Sequence, residues 1–217
     1  MSMQTQHAQG SLTPTRLYLL RHGQVADGQV HLYYGNNDVE LSPLGVRQLE
    51  EAAVQLREVE LAGVYASDLT RASQGAEIIC RDRGLTPRTF SEFREIHFGV
   101  WEGLSFQEIA EHYPDDLNAR FRDLPHFRIP GGESLMDVRG RVVPLLEELL
   151  EQHRGQAFLI VAHAGVNRLI LSEALDLSLH HIFRLDQNYG CLNIIDYFPD
   201  MAVVRLINGG VNGVGCT

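Results

Sequence analysis

Arg-Leu-Tyr-Leu-Leu-Arg-His-Gly occupies residues 16–23, and this stretch decides the fold. Its first five positions form a nearly continuous apolar run, which predicts a strand buried on both faces, as in a parallel sheet. A polar loop follows from Gly23 to Glu40, and loops of that length inside compact domains are often functional. A second apolar run, over 157–162, ends at His163. Both runs therefore predict buried strands that lead into polar motifs.

Helix and strand signals lie between these two runs. Ser42-Pro43 supplies an N-cap and a proline at the first helical position. Gly63 to Ala66 predicts a short strand, and Ser67-Asp68 offers a second N-cap for a helix that ends at Gly84. A further helix has apolar residues at helical spacing from 135 to 149, and Pro144 inside it predicts a kink or a break.

The remaining pattern indicates the fold class. A helix is expected from about Val166 to Leu175, followed by strands over 192–197 and 202–207 that turn at Pro199-Asp200. Alternating strands and helices predict an α/β three-layer sandwich, with a mostly parallel central sheet and helices on both faces. Residues 95–133 are rich in aromatic residues, His, Asp and Pro, which predicts a small cap inserted over one end of the sheet.

Length and composition limit the class of protein. The 217 residues, 44% of them hydrophobic, predict a single domain over 15–208 with flexible tails at 1–14 and 209–217. No run approaches the roughly 20 apolar residues of a membrane helix, and Met1 to Thr15 is polar, unlike a secretory signal. Three widely spaced cysteines favour reduced thiols in a cytoplasmic protein.

The charge balance bears on partners. A formal net charge of −10 argues against nucleic acid and anionic membranes as partners. It leaves room for a small phosphorylated metabolite, because a local cluster of arginines acts over a few ångströms within an acidic protein. A homodimer is left open.

Three polar motifs each follow a predicted buried strand. They begin at Arg21, Ser67 and His163, and in open α/β sheets ligands bind beyond the carboxyl ends of the strands. We therefore expect Arg21, His22, Arg71 and His163 to converge. Two arginines and two histidines in one pocket would bind an oxyanion, because arginine forks match phosphate oxygens and stay charged at any working pH.

Five motifs occur in the order of those of a known family. Leu19-Leu20-Arg21-His22-Gly23 resembles the signature of the histidine phosphatase superfamily, which also contains the phosphoglycerate mutases. The other four lie at 67–72 (SDLTRA), 93–103 (FREIHFGVWEG), 130–134 (PGGES) and 161–166 (VAHAGV). The resemblance covers roughly Thr15 to Tyr197. A lone Arg-His-Gly is weak evidence, whereas five motifs in order are specific.

The resemblance implies the roles of these residues. His22 is implied as the nucleophile that becomes a phosphohistidine. Glu95 is implied as the acid that protonates the leaving alkoxide and then takes a proton from the attacking water. The implied phosphate-binding residues are Arg21, Arg71, His163, Gly23 and Ala164. No metal and no cofactor is implied, because cationic side chains stabilise the transferring phosphoryl group.

The loop after His22 departs from the family pattern. Many members continue with Glu-Thr and later an Asn that touches phosphate, whereas this chain has Gln24, Val25 and, by counting, Gly28. Asn36 or Asn37 is a candidate to make the phosphate contact in place of the missing Asn. The expected substrate pocket consists of Gln24, Tyr34, Gly35, Asn36, Trp101 and Glu102.

For some of these residues a purely structural role is an alternative to the functional one. The four aromatic residues of the cap either line a substrate pocket or pack the insertion, and packing is favoured; they are Trp101, Phe98, Phe106 and Tyr113. Glu102 is the rival of Glu95 for the acid, and Glu95 is favoured because it matches the family position. His180-His181 does not favour a metal site, because adjacent helical residues point in different directions and no zincin pattern accompanies them.

The resemblance implies a phosphomonoester hydrolase that acts on a small phosphorylated metabolite. The 94–103 segment is most similar to that of the α-ribazole-5′-phosphate phosphatases of cobalamin synthesis and of related broad-specificity bacterial phosphatases. The alternative is a phosphoglycerate mutase-type phosphotransferase, which dependence on 2,3-bisphosphoglycerate would reveal. A non-catalytic module that binds a phosphorylated ligand is a third hypothesis, and the presence of both His22 and Glu95 argues against it.

Overall fold

The computed structural model of the protein describes residues 13–26 and 32–210. These residues form six strands and six α-helices. The strands are β1 Thr15–Arg21, β2 Gly63–Ser67, β3 Arg88–Phe90, β4 Ala157–Ala162, β5 Leu192–Tyr197 and β6 Ala202–Gly209. The helices are α1 Pro43–Gln55, α2 Thr70–Cys80, α3 Phe106–His112, α4 Pro114–Arg122, α5 Leu135–Gln152 and α6 Ala164–Ala174.

All six strands form one sheet in the order β3-β2-β4-β1-β5-β6. The first four are parallel, and β5 and β6 join antiparallel at one edge. The central pair, β1 and β4, is in a register that places Arg21 opposite Ala162. The carboxyl ends of these two strands therefore lie side by side, and the motifs that follow them start at the same edge.

Side-chain alternation along the strands divides the core into two layers. In β1, Leu17 and Leu19 pack into the cluster that contains α5 and α6, whereas Tyr18 and Leu20 pack into the cluster that contains α1 and α2. Because successive strand residues point to opposite faces, an apolar run buries both faces of the sheet. The predicted three-layer α/β fold is confirmed.

The segment predicted as a cap contains α3 and α4. Its small apolar cluster is built on Trp101, Ile109 and Ile129 and is separate from the two layers beside the sheet. Ser105 caps α3 with a reciprocal bond to Glu108, which fixes where that helix begins. No helix in the described ranges is long and apolar enough to cross a bilayer.

Three local expectations need correction. The helix expected from Ser67-Asp68 to Gly84 is α2, which begins at Thr70 and already ends at Cys80. The backbone N–H of Thr70 donates to the first-loop residue Asp38 at 2.8 Å. The Asp68 carboxylate is instead paired with Arg94. Strand β3 was not anticipated, because it has only three residues, two of them exposed, and shows no apolar run.

Two further expectations need correction. Helix α5 continues through Pro144 without a break. Gly140 and Pro144 are both exposed, so water can reach the carbonyl that proline leaves without a helical partner. At the C-terminal end, Gly209 pairs with Leu192 in the sheet and does not belong to a tail. Of the tails predicted at 1–14 and 209–217, residues 1–12 and 211–217 lie outside the described residues, as does Gly28.

Candidate active site

The sheet register brings the first and fifth motifs into contact. His22 follows β1 and His163 follows β4, and the backbone N–H of His22 donates to the carbonyl of Ala162 at 3.0 Å. The two imidazole ring centroids are 5.1 Å apart. Arg71 reaches the same place from the first turn of α2, beyond the end of β2. The four residues expected to converge therefore lie at one edge of the sheet.

The His22 ring is fixed in one orientation. Its Nδ1 lies 2.8 Å from the carbonyl oxygen of Gly23, and because a carbonyl only accepts, Nδ1 is the protonated nitrogen. Burial lowers the pKa of His22 well below its ordinary value, and the charges of Arg21 and Arg71 lower it further. The neutral ring therefore keeps its lone pair on Nε2, which is the tautomer that a nucleophile needs.

His163 is fully buried beside His22. Within the described ranges neither of its ring nitrogens has a hydrogen-bond partner. Burial and the charge of Arg71 lower its pKa well below the ordinary value. A buried imidazole with two unsatisfied nitrogens is ready to donate to an anion, because a bound phosphate would favour its protonated form.

Backbone carbonyls orient the two arginines. Arg71 is buried, and its guanidinium donates to the carbonyls of Asn37 and Gly35 at 2.8 and 2.7 Å. Arg21 donates from Nη1 to the carbonyl of Gln187 at 2.6 Å, and its Nε has no partner among the described residues. Because carbonyls do not neutralise the guanidinium, both cations keep their charge available for an anion.

Glu95 and Glu102 have different surroundings. The Glu95 carboxylate accepts from the backbone N–H of Gly165 at 3.1 Å and from that of Ile96 at 3.0 Å, and it lines the cavity that contains His22. The Glu102 carboxylate accepts from the N–H groups of Asn36 and Phe98 and does not line that cavity. Glu95 is therefore placed to exchange protons with a bound molecule, while Glu102 fixes the first loop.

The cavity that includes His22 has a volume of about 620 Å³. At its polar end, four of the residues expected to react with or bind phosphate contribute to the wall, together with Glu95. They are Arg21, His22, Arg71 and Ala164. Of the expected pocket residues, Tyr34, Gly35 and Trp101 line the cavity, and Trp101 is also buried in the cap cluster, so both of its interpretations hold.

Several expected residues do not line the cavity. His163 is fully buried with its ring 5.1 Å from that of His22, and Asn36 is held through its N–H by Glu102. The amide of Gln24 accepts from the hydroxyl of Ser42, so this side chain supports the start of α1. Gly23 also does not line the cavity.

Packing against α1 explains why residue 23 is a glycine. A β-carbon there would overlap the carbonyl group of Gly45 in α1. Its own carbonyl orients His22, so Gly23 allows close packing and fixes the ring of the neighbouring residue.

The sequence did not single out several residues of the cavity wall. Arg168 lies one turn after Ala164 on α6, and the i, i+4 spacing could have placed both on one face. Tyr189, which covers the Arg21 guanidinium at 3.9 Å from Cζ to ring centroid, belongs to no motif and has no sequence signal. Phe98 and Phe106, for which pocket and packing were both open, also line the cavity. The remaining wall residues are Leu32, Tyr33, Leu117, Arg120, Phe121, Leu124 and Phe183.

The arrangement suits transfer of a phosphoryl group to a histidine. Arg21, Arg71 and the Glu95 carboxylate line the same cavity as His22, and the ring of His163 lies 5.1 Å from the His22 ring. No group of three or more His, Cys, Asp or Glu residues with metal-binding geometry occurs in the part of the chain that is described.

Comparison with known proteins agrees with this geometry. Residues 17–209 match the histidine phosphatase superfamily (branch 1). The Bifunctional protein Rv2228c of Mycobacterium tuberculosis is 36% identical over 198 residues, which are 90% of this chain and 54% of that protein. The chain thus spans about half the length of this relative.

Shorter relatives match along their whole length. The Adenosylcobalamin/alpha-ribazole phosphatase of Escherichia coli is 29% identical over 201 residues, 92% of this chain and 98% of its own. The crystal structure of the alpha-ribazole phosphatase of Shigella flexneri superimposes with a TM-score of 0.82 at 27% identity and covers 94% of this chain and 100% of its own.

Proposed function

The chain belongs to the histidine phosphatase superfamily, and from that premise we propose that it is a phosphomonoester hydrolase acting through a phosphohistidine at His22. The observation that carries this proposal is the His22 ring itself. Its Nδ1 is committed to the Gly23 carbonyl, which leaves the lone pair of Nε2 available beside Arg21, Arg71 and His163. A histidine with a purely structural role would not lie beside two arginines that form no salt bridge with any described residue.

In the first step the Nε2 lone pair of His22 attacks phosphorus in line with the ester oxygen. The P–O ester bond breaks, a P–N bond forms, and the leaving alkoxide takes a proton from Glu95. Arg21, Arg71 and His163 donate to the phosphoryl oxygens, on which negative charge is spread in the transition state.

In the second step water attacks the phosphohistidine and gives its proton to Glu95. The P–N bond breaks, inorganic phosphate leaves, and the neutral His22 and protonated Glu95 are restored. The N–H groups of Gly165 and Ile96 hold the carboxylate in place between the two steps.

Access of water supports hydrolysis over transfer to a second substrate molecule. Phe106, Phe121 and Phe183 line the cavity, yet 51%, 65% and 60% of their surface is exposed. The cavity is therefore open to solvent along these side chains, so water can reach the phosphohistidine. A mutase-type phosphotransferase, the alternative, uses the same intermediate but must keep water away from it.

The substrate we propose is a small phosphomonoester with an apolar or aromatic leaving group, and α-ribazole-5′-phosphate of cobalamin synthesis is the specific candidate. Two observations support it. Beyond the polar end, aromatic and aliphatic side chains form most of the cavity wall, which suits a planar base. Two of the relatives that match along nearly their whole length carry alpha-ribazole phosphatase in their names.

The test is a phosphate-release assay in the presence of a chelator. The panel holds α-ribazole-5′-phosphate, 3-phosphoglycerate, sugar phosphates and p-nitrophenyl phosphate. We expect release from several members and preference for α-ribazole-5′-phosphate. Weak phosphate release at similar rates from all members would support the hydrolase but not α-ribazole-5′-phosphate as its substrate. Isomerisation of phosphoglycerate that depends on 2,3-bisphosphoglycerate would show that the protein is a mutase and not a hydrolase.

A trapping experiment tests the intermediate. Acid-labile, alkali-stable label on the protein from a radioactive substrate is the expected signature of a phosphohistidine, and His22→Ala should remove it. Turnover without any labelled protein in rapid-quench samples would contradict the covalent mechanism.

A further inference from the structure

Arg120 is a buried cation in the wall of the catalytic cavity. It lies on α4 of the cap, 6% exposed, and lines the cavity that contains His22. Leu117 and Phe121 on the same helix line this cavity, as does Leu124 just after the helix ends. The guanidinium therefore stands in an otherwise apolar part of the wall.

In the described ranges Arg120 has no acidic partner. It forms neither a salt bridge nor a hydrogen bond with another described residue, and its Nη1 is buried without a partner. Its ring contact is with Trp101, whose ring centroid lies 5.8 Å from the guanidinium carbon. Burial lowers the pKa of Arg120, which reflects the cost of keeping this charge out of water.

Other arginines of the chain show what a purely structural role requires. Arg141 pairs with Glu133 and also donates to the carbonyls of Glu92 and Arg94. Even Arg71, the buried arginine expected to bind phosphate, is anchored by two carbonyls. Arg120 has neither kind of anchor among the described residues, so its contact with Trp101 leaves most of its charge and its donors available to a molecule in the cavity.

We propose that Arg120 binds a second anionic group, a carboxylate or a phosphate, carried by the leaving group of the substrate. A guanidinium fork matches both groups bidentately, and the desolvated wall around it strengthens the pairing. A cavity of about 620 Å³ accommodates a ligand with a body between its two anionic ends. This inference rests on the proposed hydrolase and refines its substrate class.

An anion site at Arg120 changes the order in which substrates are expected to be hydrolysed. α-Ribazole-5′-phosphate carries a single phosphate, so a form of this nucleotide with a second phosphate on its ribose should be hydrolysed more efficiently. Arg120 would then select substrates by charge at the cap, while the residues around His22 select the phosphomonoester.

Matched probes isolate the second anion. The carboxyphenyl phosphates, with the carboxylate at the 3- or 4-position, are compared with the corresponding carbamoylphenyl phosphates, which are similar in size and uncharged at that position. Adenosine 3′,5′-bisphosphate is compared with AMP, and release of the 5′-phosphate is followed by product analysis. For the wild type we expect kcat/KM to favour the charged member of at least one pair by about tenfold or more.

Variants assign that preference to Arg120. Arg120→Gln should reduce the ratio of kcat/KM within the pair to near one, and Arg120→Lys should restore part of it. Arg122→Gln, at an exposed position of the same helix, should leave the ratio as in the wild type. Circular dichroism and thermal melting check that each variant is folded, and the ratio within a pair cancels any general loss of activity.

Binding to an inactive variant separates this inference from the proposed function. His22→Ala and His22→Ala/Arg120→Gln are titrated with the same probe pairs by calorimetry. If the wild type shows no turnover but the His22→Ala variant still binds the charged probes more tightly, the proposed hydrolase is wrong and the Arg120 site is supported. No charge preference in either assay, or a preference that survives Arg120→Gln, would overturn the Arg120 site.

Discussion

The imidazole rings of His22 and His163 lie 5.1 Å apart, and both are buried. They come together because β1 and β4 are parallel neighbours whose last residues, Arg21 and Ala162, are in register. Two buried imidazoles beside two arginines stay neutral in the folded protein, since each positive charge would repel the others. The electrostatics of the site therefore depend on pH.

Stability should fall in acid because of these two rings. The pKa values of His22 and His163 lie below their ordinary value of 6.5 in the folded state. The unfolded chain thus binds more protons near and below that pH, so the free energy of unfolding decreases as the pH falls below 6.5 and is fully recovered above it. The slope should reach at most about 1.4 kcal/mol per pH unit for each ring.

Urea denaturation from pH 5 to pH 8 measures this dependence. His163→Asn removes one titrating ring and should reduce the slope. His112→Asn, at an exposed position of α3, is the control and should leave the slope as it is. An equal slope in wild type and His163→Asn would show that His163 does not contribute.

The parts of the site that are local in sequence could be predicted. Apolar runs predict the buried strands, and a strand followed by a polar motif places Arg21, His22 and His163 at one edge. Whether the two histidines touch depends on the register of β1 with β4, which no local pattern encodes. Gln24 was misplaced for a similar reason, since its side chain is directed by Ser42 and α1, which follow the loop.

The cap was harder to predict than the sheet. The helical spacing of Leu117, Arg120 and Phe121 can be read from the sequence, but the side of α4 that faces the cavity is set by tertiary packing. Tyr189 illustrates the same limit, because an isolated aromatic residue in a loop has no periodicity from which its contact with Arg21 could be inferred.

Leaving-group dependence should distinguish Glu95 from Glu102. Glu95→Gln removes the proton donor, so hydrolysis of alkyl phosphates should fall by about 100-fold or more, whereas p-nitrophenyl phosphate, whose leaving group needs little protonation, should lose far less. Steady-state kinetics on both substrate types provide the measurement. Glu102→Gln is the matched control, since it disturbs the first loop and should affect both types equally. If Glu95→Gln slowed hydrolysis of both substrate types by the same factor, Glu95 would not be the acid.

The close approach of Gly23 to α1 should make this position intolerant of a side chain. Gly23→Ala would force the loop away from Gly45, so we expect a loss of about 1–3 kcal/mol in the free energy of unfolding and a lower kcat, because the carbonyl that orients His22 moves. Chemical denaturation and steady-state kinetics measure the two effects. Gly140→Ala, where an added β-carbon meets no atom within 4 Å, should be stabilising by roughly 1 kcal/mol. Normal stability and activity of Gly23→Ala would disprove the steric argument.

The contact of Tyr189 with Arg21 should be required for phosphate binding. The ring covers one face of the guanidinium at 3.9 Å, while the Gln187 carbonyl holds Nη1, so the remaining donors are fixed in direction. Tyr189→Ala should lower kcat/KM for p-nitrophenyl phosphate by about tenfold, equivalent to about 1.4 kcal/mol, and should weaken inhibition by inorganic phosphate in parallel.

Tyr189→Phe tests whether the ring face is responsible. Because phenylalanine keeps the ring, this variant should retain most of the activity and of the affinity for phosphate. A loss in Tyr189→Phe as large as that in Tyr189→Ala would assign the effect to the phenol hydroxyl. Unchanged phosphate inhibition in Tyr189→Ala would mean that the Gln187 carbonyl alone is sufficient to orient Arg21.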